Sequence, residues 1–293
     1  MLQNAALTGV PAPWRGRATV YAATFYISPS QTTAPGFKEA AYAPLERASA
    51  FADALPDGGI ASVMVIRYHD TPVGTYDEMI LIPGKFGFEV DEGGRRVRKS
   101  KLRITRIYVS QRNTAWNGRT NWNIPKHLAR FEFMEHPDGS ADFKMYPLDP
   151  LDIAEPSASA SASASPLFQA RFAPIPYLPS MPLSTRPLSW LVDLEIAQPP
   201  LPAGPTESTP AMLAAAKEQG GDDTSELAGT DKWCRWTPHQ YAPRASLGWM
   251  DLRQAGGGSI VPGAARWALA VRMPESEVVL GEPEWWDGAH SKL

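Results

Sequence analysis

In the segment Gly118-Arg119-Thr120-Asn121-Trp122-Asn123-Ile124-Pro125-Lys126-His127-Leu128, one lysine directly follows a proline inside an apolar, aromatic-flanked stretch. Such a lysine is a candidate nucleophile. In water, an ammonium with a pKa of about 10.4 leaves only about one amine in a few thousand neutral at pH 7. Burial that lowers this value by roughly three units, worth about 4 kcal/mol, frees about half the amines to attack a carbonyl and form a Schiff base. Trp122, Ile124 and Leu128 can wall Lys126 with apolar surface, and Pro125 removes one backbone donor and restricts the chain. The plain alternative is a loop lysine with its ammonium in water.

A second group of interest is Glu78, which opens the run Glu78-Met79-Ile80-Leu81-Ile82-Pro83. Its neighbours are nearly all apolar, so the carboxylate either faces solvent or is buried for a purpose. Asp77 falls on the other side of the same strand. His69 and His127 have no serine and acid at nucleophile-elbow spacing, so a hydrolase triad has no support.

Gly118-Arg119, five residues, then Pro125-Lys126 with a basic residue and Leu128 resembles the active-site segment of the acetoacetate decarboxylase family, spaced without a gap. His69-Asp70-Thr71, followed by Tyr76-Asp77-Glu78 and a small or apolar run to Pro83, is similar to that family's second signature. Trp236-Thr237-Pro238, Leu247-Gly248-Trp249 and residues 267–273 running into Pro274-Glu275 are similar to its last strands. The resemblance covers most of the chain, and its two N-terminal segments are the specific ones. It implies that Lys126 is the Schiff-base lysine and Glu78 a pocket carboxylate that shuttles a proton or positions the substrate. It also implies a pocket arginine for a substrate carboxylate, with Arg15 and Arg17 as candidates. Trp122, Met64 and Tyr76 are the expected substrate contacts, and His127 and Arg119 the supporting residues.

Two departures shift the expected substrate. The family's decarboxylases carry a second lysine where this chain has His127, which is mostly neutral at pH 7, and a second glutamate where it has Met64. The pocket is thus differently charged and shaped for something other than acetoacetate. The resemblance implies a cofactor-independent lyase acting on a keto acid or related carbonyl compound, decarboxylation first. Schiff-base aldol, dehydration or cyclisation chemistry on a larger substrate is the alternative. A second class is a non-covalent ligand-binding or cyclisation-catalysing cavity protein, with Lys126 as a donor or cation only. A homo-oligomer, dimer or larger, is implied as well.

The elements that must position these residues read mostly as strands, at 18–27, 61–68, 76–82, 102–110, 129–135 and 141–146. Asp138-Gly139 signals a hairpin, and a turn at Glu92-Gly93-Gly94 joins 87–90 to 98–106. Later strands are expected at 167–172, 189–197, 231–236, 245–252 and 266–273. Helical spacing over 37–54 is interrupted by Pro44, and Thr209-Pro210 opens a short helix over 211–218. Residues 156–166, a Ser-Ala repeat between prolines, form a low-complexity insertion that cannot bury enough surface to offset its ordering entropy. A mostly antiparallel sheet rolled around a cavity fits this order, and the resemblance implies a double-layered β-cone or closed barrel in a single domain, 1–293. Several of the ten tryptophans are expected to line that cavity, with core packing as the default.

Composition narrows the partners. With 43% hydrophobic residues and a net charge of −3, the chain can build a sizeable core and has no basic field for nucleic acid. Its one basic cluster, Arg95-Arg96-Val97-Arg98-Lys99-Ser100-Lys101, follows Asp91-Glu92-Gly93-Gly94 and reads as a solvated hairpin flank. The lone Cys234 cannot form an internal disulfide, and no Cys/His spacing resembles a zinc site. No apolar run reaches the roughly 18 residues of a membrane span, and the first residues lack a charged and apolar leader, so the cytosol is the expected location.

Overall fold

The computed structural model describes residues 7–147, 166–188, 192–204, 227–252, 260–264 and 266–287. The low-complexity insertion, the expected helix at 211–218 and the start of the strand expected at 189–197 lie wholly or mostly outside these residues. The strands, in chain order, are β1 Trp14–Ile27, β2 Gly59–Asp70, β3 Tyr76–Ile82, β4 Lys85–Glu92, β5 Arg95–Leu102, β6 Arg106–Val109, β7 Lys126–Glu135, β8 Ala141–Pro147 and β9 Phe168–Pro174. They continue as β10 Met181–Ser184, β11 Ile196–Gln198, β12 Trp233–Trp236, β13 Pro238–Asp251, β14 Trp267–Leu280 and β15 Glu284–Trp286. Helices are short: α1 Pro29–Thr32, α2 Phe37–Ala41, α3 Pro44–Arg47, α4 Arg112–Trp122 and α5 Thr185–Leu188. None is long and apolar enough to cross a membrane.

Nine strands close into a barrel in the order β13-β14-β1-β2-β3-β6-β7-β8-β9, with β9 pairing back onto β13 and β10 attached outside. At the closing seam a β-carbon on Gly248 would sit 2.5 Å from the Phe172 ring and from the Ala173 carbonyl oxygen, so only glycine lets β9 and β13 approach there. A second, five-stranded sheet runs β15-β12-β11-β5-β4. The basic cluster lies on the β4–β5 hairpin of this sheet, as expected for a solvated flank.

The pairing is not antiparallel throughout. β6 and β7 are parallel, and a parallel pair needs a crossover of a dozen or more residues, supplied here by the segment carrying α4. The strands expected at 98–106 and 102–110 are instead β5 and β6, in different sheets, because the chain leaves the small sheet at Leu102 and enters the barrel at Arg106. The helical stretch at 37–54 breaks into α2, α3 and a 3-10 turn, with Pro44 in the first turn of α3, where its missing N–H costs nothing.

Alternation along the strands divides the core in two. Tyr21, Val63, Met79, Phe143, Phe172 and Met250, with neighbours from every barrel strand, form one cluster that fills the barrel interior. On the opposite faces of the same strands, Ile66, Tyr76, Ile80, Ile107 and Val109 pack with Ala115 and Trp122 of α4 and with Cys234 and Trp236 of β12. This buried cluster lies inside the closed barrel, and the candidate lysine lies on the other side of the wall. Tryptophans divide likewise: Trp14, Trp122 and Trp236 join the layer outside the barrel, Trp233 and Trp286 stack with Phe88 of the small sheet, and Trp249 and Trp267 are half exposed.

Candidate active site

Helix α4 and the turn after it deliver Lys126. Gln111 caps the helix by accepting from the Thr114 N–H, and its side-chain amide donates to the Val73 carbonyl at 2.6 Å, tying the helix start to the loop before β3. The helix ends at Asn123, whose φ of 52° is left-handed and whose N–H returns to the Arg119 carbonyl. Next, the Lys126 N–H donates to the Ile124 carbonyl at 2.7 Å across Pro125, a three-residue turn that suits the proline's fixed φ. Lys126 is then the first residue of β7.

Register brings the lysine and the glutamate together. On the central strand β6, Val109 pairs with Glu78 and Ile107 pairs with Lys126, two residues apart and therefore on one face. The Lys126 Nζ lies 2.8 Å from Glu78 Oε2, and the two side chains are only 2% and 3% exposed. The same nitrogen donates to Thr114 Oγ1 at 2.9 Å and stands 5.0 Å from the centre of the Tyr76 ring. Tyr76 lies directly across from Tyr68 in the β2–β3 register, with ring centres 4.5 Å apart. Burial, and after it the charge of Glu78, push both phenols well above their ordinary value of 10, so both stay protonated.

His127 points the other way. Its Nε2 meets Glu46 Oε2 at 2.6 Å, and the second oxygen of Glu46 accepts from Arg119 Nη1 at 2.9 Å. Burial alone would raise the Glu46 carboxyl, but the charges of His127 and Arg119 outweigh it and hold the group at about 2. Arg119 is fully buried, donates to the Ala228 and Pro202 carbonyls, and reaches the Lys126 carbonyl at 3.5 Å. It pins α4 and the lysine turn to the surrounding loops rather than facing the amine.

The remaining expected site residues separate. Trp122 is buried against Trp14 with its indole N–H on the Gly281 carbonyl, and Met64 packs partly buried against the same cluster as Tyr76. Arg15 and Arg17 do not join them. Trp14 and Ala18 take the face of β1 that packs with α4, so alternation turns both arginines away from it to solvent, 71% and 75% exposed, beside Glu277 at 2.9 Å and Asp70 at 3.7 Å. The expected carboxylate-receiving role has no support from this placement. Thr114, Tyr68 and Glu46 were not singled out from the sequence. Tyr68 was detectable, since it stands opposite Tyr76 once the two strands are paired, whereas nothing local marks Thr114 or Glu46. Among the described residues, no three His, Cys, Asp or Glu side chains are grouped to hold a metal ion.

No protein-family model matches the sequence, and no curated protein matches it. Solved structures do match in shape. The acetoacetate decarboxylase of Legionella pneumophila is similar with a TM-score of 0.54 and 12% identity, over 94% of this chain and 88% of that one. The enduracididine biosynthesis enzyme MppR, complexed with the condensation product of pyruvate and imidazole 4-carboxaldehyde, is similar with a TM-score of 0.52 and 13% identity, over 96% and 92%. A further acetoacetate decarboxylase structure gives 0.54 and 10% identity, over 95% and 91%. With its closed nine-stranded mixed barrel, second sheet and short helices, the chain has the acetoacetate decarboxylase-like fold.

Proposed function

We propose that the protein is a cofactor-independent lyase in which Lys126 forms a Schiff base with a keto acid or related carbonyl compound. The observation that carries this reading is the buried contact of Lys126 Nζ with Glu78 at 2.8 Å. In a dry site an ion pair bears a desolvation cost that the neutral pair escapes, and proton transfer to Glu78 leaves a free amine. The amine adds to the carbonyl carbon, one of its own protons and the proton held by Glu78 pass to the oxygen, and water leaves as the iminium forms. The iminium then accepts the electron pair of a breaking carbon–carbon bond. For a β-keto acid the fragment released is carbon dioxide, the remaining enamine takes up a proton from solvent at carbon with Glu78 nearby to relay it, and hydrolysis frees the product and the lysine.

Decarboxylation is the first reading. Condensation of a bound pyruvate-like enamine with an aldehyde is the second, favoured by the product complexed in MppR. On the Lys126 side of the barrel, the Trp236 indole N–H is buried with no hydrogen-bond partner among the described residues, which leaves an uncharged donor unused. The readings separate on product. Carbon dioxide release from acetoacetate and larger β-keto acids marks the first, and a condensation product from pyruvate plus an aromatic aldehyde marks the second. Loss of whichever activity is found in Lys126→Ala is required, and its retention contradicts both.

A further inference from the structure

We propose that Thr114 is a positioning residue for the Lys126 amine, its buried hydroxyl fixing the direction of Nζ. This rests on the reading of Lys126 as the nucleophile. An ammonium has donors only, so the 2.9 Å contact makes Thr114 Oγ1 the acceptor, and the hydroxyl's one proton is directed elsewhere. Thr114 is fully buried and its backbone N–H is held by the Gln111 side chain, so the hydroxyl has little freedom to turn.

The arrangement matters once the amine is free. An N–H held on Thr114 Oγ1 limits rotation about the Cε–Nζ bond, and so sets the direction in which the lone pair points once Glu78 has passed its proton on.

The test compares Thr114→Val, which keeps the shape and removes the hydroxyl, with Thr114→Ser, which keeps the hydroxyl. Two readouts are used: the saturating rate and pH profile of borohydride-trapped adduct formation with pyruvate, and the Lys126 Nζ resonance in protein carrying 15N-lysine, without any carbonyl. Thr114→Val is expected to lower the saturating rate about tenfold, to shift the pH profile and to change the half-saturating concentration less than about twofold. Thr114→Ser restores both rate and profile. A Thr114→Val protein with wild-type rate and profile overturns the proposal. If the wild-type protein forms no adduct, the nucleophile reading fails by itself and the resonance decides the anchoring. A peak moved by valine and restored by serine supports Thr114 as the anchor, and an unmoved peak overturns it.

Discussion

Gly118 lies directly against Lys126: a β-carbon at this helical position would come within 2.6 Å of the lysine Cδ and 2.8 Å of its Cε. The helix that carries Thr114 can therefore press its backbone onto the lysine stem, which is what lets Nζ reach Thr114 and Glu78 together. Gly118→Ala should gain helix propensity of about 1 kcal/mol and still disable the site. We expect adduct formation to fall by about 100-fold, the scale of a misplacement near 1 Å, with a melting temperature shifted only a few degrees because overpacking offsets the helix gain. Wild-type adduct formation in Gly118→Ala would contradict the packing described for Lys126.

Glu78 is expected to matter for chemistry and for stability separately. Glu78→Gln keeps the shape and removes the proton shuttle, and should lower turnover by roughly 100-fold or more. Glu78→Ala additionally leaves the buried Lys126 nitrogen without its partner, a loss of about 1 to 3 kcal/mol. Urea unfolding of the two variants beside steady-state rates checks this, and equal stability of Glu78→Ala and wild type would count against the buried pair.

Glu46 gives a pH signature. Its carboxyl is held at about 2 in the folded protein against 4.5 for the free group, so it binds fewer protons folded than unfolded over that interval. The stabilisation is therefore complete above about pH 4.5 and is lost as the pH falls toward 2, amounting to about 3 kcal/mol. Unfolding free energies of wild type and Glu46→Gln should differ most near pH 6 and converge near pH 2. A gap independent of pH would show that the His127 and Arg119 contacts do not hold the carboxylate.

Arg15 and Arg17 should be dispensable for the reaction. Both pair on the surface, where such contacts contribute about 0 to 1 kcal/mol. Arg15→Ala and Arg17→Ala are expected to keep kcat and KM within about twofold in steady-state assays, and a large rise in KM in either would return that arginine to substrate recognition.

Much of this site was legible because its two central residues sit in short motifs on regular strands. The resemblance of the segment from His69 to Pro83 to a family signature marked Tyr76 and Glu78, and the proline before Lys126 marked the lysine. Helix α4 was hidden for a physical reason. Its buried face includes Thr114, Asn117, Gly118 and Arg119 along with Ala115 and Trp122, so it shows no apolar period. Missing that helix also hid the parallel β6–β7 pair it makes possible. Arg15 and Arg17 were misplaced because β1 begins at Trp14, four residues before the apolar run at Ala18, and pairing with β14 rather than propensity extends it. The Glu46 network joins residues 73 and 81 positions apart, a distance no local pattern spans.

The most direct test of the account is borohydride reduction of the protein incubated with acetoacetate, pyruvate or a larger keto compound, followed by peptide mass analysis. The account predicts a stable adduct of the carbonyl on the peptide containing Lys126, absent from Lys126→Ala. Failure of every carbonyl to mark that peptide, with full activity retained in Lys126→Ala, would contradict it and leave a non-covalent cavity protein.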